Sequence, residues 1–197
     1  MVDMLVEGDL DMTVALRVLR YVGLPPGRPF GRSGRADFFA RLPRYNQAAG
    51  YGPWMALVDL ETSPSCVPDF VTEHLPNPSE CMRFRVAVHA IESWLMADSE
   101  TLARFLRVSG TRFPTYPDAI QRPKQHFIDI ARHSRVARLR FGLVPRAGSG
   151  ASQGPLYTSL LQDFVMNNWR PEVAAQNSPS LSKCLLRLQT LPDCLPA

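Results

Sequence analysis

Three carboxylates stand at the ends of two short apolar segments, and their types and spacing suit them to metal chemistry. Glu7 follows the apolar residues 4–6, while Asp59 and Glu61 follow the apolar residues 56–58. Short apolar segments that end in a carboxylate and a turn are typical of buried parallel strands, whose carboxyl ends form the binding edge of an open α/β sheet. We therefore expect the three acids to meet at one edge of a sheet.

The spacing of Asp59 and Glu61 predicts a cation between them. Residues two positions apart on a strand leave the same face, about 6.5 to 7 Å apart at the backbone. Two acids placed in this way repel each other unless a proton or a cation intervenes. Mg²⁺ is a suitable cation, because it prefers oxygen ligands and retains several waters. Glu7 alone is weaker support, since an acid at such a turn is more commonly solvated or caps a helix.

Glu92 is a fourth candidate, because it opens a helical segment directly after another predicted strand. Its alternative role is a stabilising interaction with the helix dipole, which favours an acid in the first turn. Asp98 lies on a different face of the same segment, so we do not expect it to reach the same ion. Trp94 and Leu95 are expected to pack in the core.

Lys124 is one of only two lysines among the 22 basic residues. A compact ammonium can neutralise charge that develops on a phosphoryl oxygen, whereas a planar guanidinium presents a different geometry. We therefore consider Lys124 a candidate electrophile in catalysis. A solvated lysine at the start of a helix is the other interpretation.

A glycine-rich segment precedes a predicted helix that begins near residue 155 and could contact a substrate phosphate. Its candidate residues for that contact are Arg146, Ser149 and Gly150. Backbone amides, hydroxyls and a helix N-terminus together favour an anion. The segment lacks the Gly-Lys-Ser/Thr ending of a P-loop, so a nucleotide site is not expected. An ordinary connecting loop is an equally good interpretation.

The formal charge of +4 is unevenly distributed along the chain. Residues 51–100 carry a net charge of −6, and residues 101–150 carry a net charge of +8. An acidic centre beside a basic flank suits a metal site that also holds a phosphate backbone, and it indicates a nucleic-acid partner. The alternative is a coding bias toward arginine, which accounts for 20 of the 22 basic residues.

The elements that must position these side chains alternate between strand and helix in the first half of the chain. Strands are predicted at 2–6, 54–59 and 84–88, with 24–35 as a loop or short irregular strand. Helices are predicted from an Asp9 or Asp11 N-cap to about residue 22, and at 37–44, 68–75 and 91–96. The pattern predicts an α/β fold with a mostly parallel sheet flanked by helices.

Beyond residue 98 the sequence predicts only helices, at 99–106, 123–134, 155–168 and 179–191. We expect residues 1–100 to form the α/β core and residues 101–197 a helical C-terminal extension packed on it, within one structural domain. The length of 197 residues suits this organisation.

Several classes of protein are not expected from the composition. No apolar stretch approaches the roughly 20 residues that cross a bilayer, and the N-terminus lacks the features of a signal peptide. A cytoplasmic protein is therefore expected. The four cysteines form no C-x-x-C pair, and neither they nor the four histidines have zinc-ligand spacing. We expect free thiols.

Glu7-Gly8 and Asp59-Leu60-Glu61 together resemble the Toprim pattern of topoisomerases, bacterial primases and OLD-type nucleases. In that pattern the first motif is a Glu and the second is Asp-x-Asp, so Glu61 replaces the second Asp with a side chain one methylene longer. OLD-type nucleases carry further acids after this strand and a catalytic lysine late in the domain. The resemblance implies that Glu92 contributes to a second metal and that Lys124 is catalytic.

A resemblance that covers nearly the whole chain is to the bacterial family called domain of unknown function 4276 (DUF4276). It implies a Toprim-like, Rossmann-like fold, and its members are found beside ATPases in phage-defence or related systems. The motifs that carry it are Val6-Glu7-Gly8, Val58-Asp59-Leu60-Glu61, the segments 91–98 and 144–150, Pro123-Lys124, and Ser178-Pro179-Ser180-Leu181.

The leading hypothesis is a Mg²⁺- or Mn²⁺-dependent nuclease that hydrolyses DNA or RNA, with an effector role in a prokaryotic defence system. In this hypothesis Glu7 and Lys124 are catalytic. The metal ligands are Glu7, Asp59, Glu61 and Glu92, and the substrate contacts are Arg146, Ser149 and Gly150. The rival hypothesis is a non-catalytic Toprim-like interaction subunit that works only with a partner ATPase.

Overall fold

The structure, a computed structural model, describes residues 1–63 and 66–191. Four strands form one sheet in the order β2-β1-β3-β4, and every neighbouring pair is parallel. This confirms the predicted α/β fold with a parallel sheet. The strands are β1 (Val2–Val6), β2 (Pro26–Gly31), β3 (Trp54–Asp59) and β4 (Met82–Ala87).

Helices connect the strands and account for the regular structure described after β4, apart from two short 3₁₀ turns at Gly110–Arg112 and Pro117–Ala119. The three that lie between strands are α1 (Asp9–Tyr21), α2 (Arg35–Ala48) and α3 (Val67–His74). Those that follow β4 are α4 (Ile91–Met96), α5 (Ser99–Leu106), α6 (Pro123–Ala131), α7 (Ala137–Leu143), α8 (Tyr157–Asn167), α9 (Pro171–Asn177) and α10 (Pro179–Leu188).

The sheet is buried on both faces, which explains why its central strands are apolar over residues 4–6 of β1 and over residues 54–58 of β3. Met55 and Leu57 of β3 pack into the core that contains α1, α4 and α8. Trp54, Ala56 and Val58 alternate with them and pack on the other face with α2 and α3. The result is a three-layer arrangement of helices, sheet and helices.

The register of the central strands brings the predicted acids to one edge. Val6 at the end of β1 pairs with Leu57, so β3 extends two residues further, to Asp59. Asp59 in turn pairs with Ala87 at the end of β4. Because all four strands are parallel, the residues that follow each of them emerge on the same side of the molecule.

Local differences from the sequence-based predictions have physical explanations. Residues 26–31, left open as a loop or irregular strand, form the edge strand β2, where Pro26 and Pro29 are tolerated because an edge strand needs fewer backbone donors. Helix α2 continues past the predicted end to Ala48, and Tyr45 in its last turns packs on Trp54 with ring centroids 4.7 Å apart.

Two helices were not predicted, and one N-cap prediction was wrong. The helices α7 and α9 have seven residues each, and such short helices carry little periodic signal. Gly8, rather than Asp9 or Asp11, is the N-cap of α1, and no side chain caps it. Asp11 is therefore free for another role.

The cysteines are only partly as expected. Cys66 and Cys184 are free thiols, the first exposed and the second buried. Cys81 is disulfide-bonded, which corrects the expectation of free thiols throughout. Cys194 lies outside the described residues. Among the residues placed by the structure, no helix is both long and apolar enough to cross a membrane.

A buried ion pair fixes the start of α5 to the turn between α8 and α9. Asp98 is fully buried and accepts three hydrogen bonds from Arg170. The donors are the Arg170 backbone amide at 3.0 Å, its side-chain Nε at 3.1 Å and its side-chain Nη2 at 2.6 Å. The adjacent Trp169 donates from Nε1 to the Trp94 carbonyl oxygen at 3.2 Å. Asp98 therefore has a structural role, in line with the expectation that it does not reach the metal site.

Asp98→Ala is expected to lower the free energy of unfolding by about 3 kcal/mol, because it leaves the donors of Arg170 without their buried acceptor. Urea denaturation of the purified variant measures this change. Glu100→Ala is the matched control, since Glu100 pairs with the same arginine but is largely exposed, and it should leave the midpoint unchanged. Equal midpoints for Asp98→Ala and the wild type would refute the structural role.

Candidate functional site

A cavity of about 620 Å³ opens at the carboxyl edge of the sheet and contains the predicted acids. Its walls come from the residues after β1, β3 and β4 and from the N-terminal ends of α1, α4, α6 and α8. The predicted site residues that line it are Glu7, Asp59, Glu61, Glu92 and Lys124. Positions distant in the sequence are thus brought to one site.

The predicted substrate contacts do not line this cavity. Arg146, Ser149 and Gly150 are exposed in the loop between α7 and α8. Ser149 uses its hydroxyl within the loop, donating to the Arg146 carbonyl oxygen at 2.8 Å. The same loop reaches the cavity further along the chain, through Ser152 and Gln153.

Glu61 does not share a strand face with Asp59, so that expectation was wrong. Strand β3 ends at Asp59, and Glu61 adopts a left-handed backbone conformation with φ of 56°. Its backbone amide donates to the His89 carbonyl oxygen at 2.7 Å, which ties the turn to the residues after β4. The side chain of Glu61 is 52% exposed and points to an arginine rather than into a shared acidic pair.

Arg35 is the cation that the sequence analysis did not identify. Its Nη1 donates to the Asp59 carbonyl oxygen at 2.7 Å and lies 3.7 Å from Glu7 Oε2, and its Nε lies 3.5 Å from Glu61 Oε2. The guanidinium also lies over the rings of Phe39 and Phe70, 5.1 and 5.6 Å from their centroids. Arg35 therefore holds the ends of β1 and β3 together.

Glu7 has one carboxylate oxygen without a hydrogen-bond partner. Its Oε2 is buried, and within the part of the chain that the structure describes it accepts no hydrogen bond. Burial raises the pKa of Glu7, Arg35 acts in the opposite direction, and the nearby Glu61 raises the pKa further. A buried carboxylate oxygen whose nearest cation lies 3.7 Å away and that accepts no hydrogen bond from a described residue is costly, and it is suited to accept a metal ion or a proton.

Asp11 is a further acid of the cavity that the sequence analysis treated only as a possible N-cap. Burial raises the pKa of Asp11 to about 7, with additional repulsion from Glu7 and Glu92. Glu7 precedes the N-cap Gly8 and Asp11 lies in the first turn of α1, and both line the cavity. The available signal was the place of Asp11 in a helical first turn directly after a predicted strand end.

Asp59 experiences the same repulsion as its neighbours. Burial raises its pKa well above the ordinary value, followed by the charges of Asp11, Glu92 and Glu7, while a hydrogen bond lowers it. The donor of that bond is the Ile91 backbone amide, 2.8 Å from Asp59 Oδ1. These four acids, the carboxylate cluster, therefore interact electrostatically across the cavity.

Glu92 is buried at the start of α4, with 5% of its surface exposed. Tyr157 Oη donates to its Oε1 at 2.8 Å, and Lys124 Nζ lies 5.2 Å from the centroid of the Tyr157 ring. Burial raises the pKa of Tyr157, and the charge of Glu92 raises it further, so the phenol stays protonated and can donate. Helices α4, α6 and α8 thus each contribute one side chain to this part of the cavity.

The carboxylate cluster fits a hard divalent cation in its donor chemistry. All four side chains offer oxygen, positive charge relieves their mutual repulsion, and Glu7 Oε2 accepts no hydrogen bond from a described residue. As they are placed, no three His, Cys, Asp or Glu side chains among residues 1–63 and 66–191 could hold a metal ion, so the four carboxylates would have to move closer together around one.

Asp11→Asn is expected to stabilise the metal-free protein at neutral pH, by up to about 4 kcal/mol. The pKa of Asp11 rises from 3.8 to about 7 on folding. The folded state therefore retains a proton that the unfolded state has released, and stability falls as the pH rises across this range. The measurement is the free energy of unfolding from urea denaturation in EDTA at about pH 4.5, 6 and 8, which span the titration of Asp11.

Asp69→Asn serves as the control because Asp69 is exposed and does not line the cavity. It should reproduce the wild-type dependence of stability on pH. If Asp11→Asn also reproduces it, the electrostatic coupling of Asp11 to the other acids is wrong.

The chain matches no protein-family model, no curated protein and no solved structure. The assignment of a function therefore depends on the carboxylate cluster, on the basic side chains around it and on the motifs in the sequence.

Proposed function

We propose that this protein is a Toprim-like, Mg²⁺- or Mn²⁺-dependent nuclease that hydrolyses phosphodiester bonds in DNA or RNA. The observation that carries the proposal is the gathering of Glu7, Asp11, Asp59 and Glu92 around one cavity at the carboxyl edge of a parallel sheet. Ligands of open α/β sheets bind at this edge. Acids that repel one another there need positive charge, which a metal ion and a basic side chain can supply.

The carboxylate cluster would hold the metal, with Glu7 and Asp59 as its central ligands because they end two adjacent strands. When bound, Mg²⁺ or Mn²⁺ would polarise a phosphoryl oxygen and lower the pKa of a water. Glu92 would be a ligand whose orientation is fixed by its hydrogen bond from Tyr157. Asp11 extends the ligand set that the sequence predicted.

Glu7 is the proposed proton acceptor for the attacking water. Its buried Oε2 accepts no hydrogen bond from a described residue, so a lone pair is available. Burial raises its pKa in the metal-free protein, whereas a bound cation would lower it, so Glu7 would accept the proton through the carboxylate oxygen that the metal does not bind. Arg35 limits this rise and fixes the orientation of the side chain from 3.7 Å away.

Lys124 is the proposed group that stabilises negative charge on the phosphate. It lines the cavity from the first turn of α6, whereas Glu7 and Asp59 line it from the strand ends. No carboxylate pairs with Lys124 among the residues that the structure places, so its charge is available to a ligand. An ammonium in a partly enclosed site stabilises a developing oxyanion more than it would in water.

The Toprim-like assignment is supported by the adjacent positions of Glu7 and Asp59 after β1 and β3. Glu61, in the position of the second Asp of the Toprim pattern, is paired with Arg35 in the turn after β3. In the proposal Glu61 therefore positions Arg35, and Asp11 and Glu92 provide the additional acidic oxygens.

Glu7→Gln and Asp59→Asn are expected to abolish metal-dependent cleavage of plasmid and single-stranded nucleic acids in Mg²⁺ or Mn²⁺. Each substitution removes a charge from the metal ligands while it preserves the size of the side chain. Lys124→Met should lower the rate of cleavage by about 10²-fold, since it removes one electrostatic stabiliser of the transition state. Gel-based cleavage assays on the purified variants measure both effects.

Asp69→Asn is again the control and should cleave at the wild-type rate. Full activity of both Glu7→Gln and Asp59→Asn would refute the proposed site. If the wild type binds Mn²⁺ but cleaves none of these substrates, the rival role gains support, namely a subunit that works only with a partner ATPase. If it binds no metal, a non-catalytic interaction subunit is the better description.

A further inference from the structure

A second cavity, of about 640 Å³, is lined mainly by basic side chains. It lies between the end of α5, the 3₁₀ turn that follows and the residues after α6. Its lining residues, the basic pocket, are Arg107, Val108, Ser109, Arg112, His133 and Arg135. None of them is acidic, in contrast to the carboxylate cavity.

The three arginines of the basic pocket are available to a ligand. Arg107, Arg112 and Arg135 are exposed, and none of them forms an ion pair within the ranges 1–63 and 66–191. Neighbouring arginines in the sequence behave differently, since Arg104 pairs with Glu100 at 3.3 Å and Arg132 with Asp129 at 3.3 Å. The basic pocket thus holds three of the cations in residues 101–150 that no described acid neutralises.

The backbone around the pocket brings its cations together. Arg107 adopts a left-handed conformation with φ of 54° at the C-cap of α5, which turns the chain toward the 3₁₀ turn that ends at Arg112. Ser134 Oγ donates to the Leu106 carbonyl oxygen at 2.7 Å and fixes the chain after α6 to the end of α5. His133 and Arg135 flank this buried serine and therefore face the same region.

Helix α6 connects the basic pocket to the carboxylate cavity. Lys124 at its N-terminal end lines the carboxylate cavity, and His133 just beyond its C-terminal end lines the basic pocket. The helix has nine residues, which at about 1.5 Å per residue gives a length of roughly 13 Å. One strand of a duplex would cover this distance in about four nucleotides at a rise of about 3.4 Å each, and an unstacked single strand would cover it in fewer.

We propose that the basic pocket binds a backbone phosphate of the nucleic-acid strand whose scissile phosphate lies in the carboxylate cavity. This inference rests on the proposed nuclease function and adds the place where the substrate docks. Guanidinium groups bind phosphate oxygens in a bidentate geometry, and three arginines line this pocket while no acid does.

A single-stranded segment is the occupant that the exposed aromatic residues of this part of the chain favour. Tyr116 and Phe141, both within the basic residues 101–150, are 74% and 66% exposed, and the Arg140 guanidinium lies 5.1 Å from the Phe141 ring centroid. Exposed aromatic rings beside basic side chains are the combination on which unpaired bases stack while the backbone is held electrostatically. A duplex keeps its bases stacked internally and would use only the charges.

The test compares the affinities of the wild type and Arg112→Gln/Arg135→Gln for a labelled single-stranded oligonucleotide of about 12 nucleotides. Fluorescence anisotropy in EDTA, from about 50 to about 200 mM salt, prevents cleavage and gives the salt dependence. The double variant is expected to bind at least about tenfold more weakly at low salt. Its slope of log K against log salt should be shallower by about 0.7, which corresponds to one phosphate contact on a single strand.

The control is Arg20→Gln/Arg44→Gln, which removes the same charge from exposed arginines that line neither cavity. It should retain the wild-type affinity and nearly the wild-type slope. Circular dichroism of each variant verifies that the fold is preserved. Equal losses in the two double variants would show that only net charge matters and would overturn the proposal.

Failure of this inference is distinguishable from failure of the nuclease function. Wild-type affinity of Arg112→Gln/Arg135→Gln overturns the basic pocket even if the protein cleaves nucleic acid, and so does absence of binding by the wild type. Tighter binding of a duplex than of the single strand overturns the choice of occupant. Binding that depends on Arg112 and Arg135 without cleavage in Mg²⁺ or Mn²⁺ supports the pocket and contradicts the nuclease function.

Discussion

The free-energy cost of burying carboxylates beside one another is the constraint on which this site depends. The parallel register of β1 and β3 places Glu7 and Asp59 at one edge of the sheet, and the helices that follow add Asp11 and Glu92. Desolvation and mutual repulsion raise the pKa values of Glu7, Asp11 and Asp59 together. Groups of acids whose pKa values are raised in this way are typical of catalytic and binding sites.

The rest of the structure limits this cost without removing it. Arg35 neutralises part of the charge from the side of α2, and the Ile91 amide and the Tyr157 hydroxyl each donate to one acid. The ion pair of Asp98 with Arg170 and the buried Trp169 keep the later helices against α4, so that Lys124 and Tyr157 remain at the cavity. The helices after β4 thus complete a site that the strands begin.

The sequence predicted the two central strands and most of the acids at their carboxyl edge. Apolar segments ending in acids identified β1 and β3 and three of the acids at their edge, because burial on both faces leaves a clear apolar pattern. Asp11 and Arg35 were missed, since their roles depend on how the first turns of α1 and α2 approach the strand ends. The sequence-based prediction for Glu61 assumed that β3 continues past Asp59, whereas the chain turns there and Glu61 has a positive φ.

The most direct test of the account is calorimetric titration of the metal-free protein with Mn²⁺ in buffers of different ionisation enthalpy. If the raised pKa values of the carboxylate cluster reflect a cation site, binding at about pH 6 will release roughly one proton per metal, and less at about pH 8.5. Asp59→Asn should weaken this binding at least about tenfold. Absence of Mn²⁺ binding, or binding that releases no proton and is unaffected by Asp59→Asn, would contradict the account.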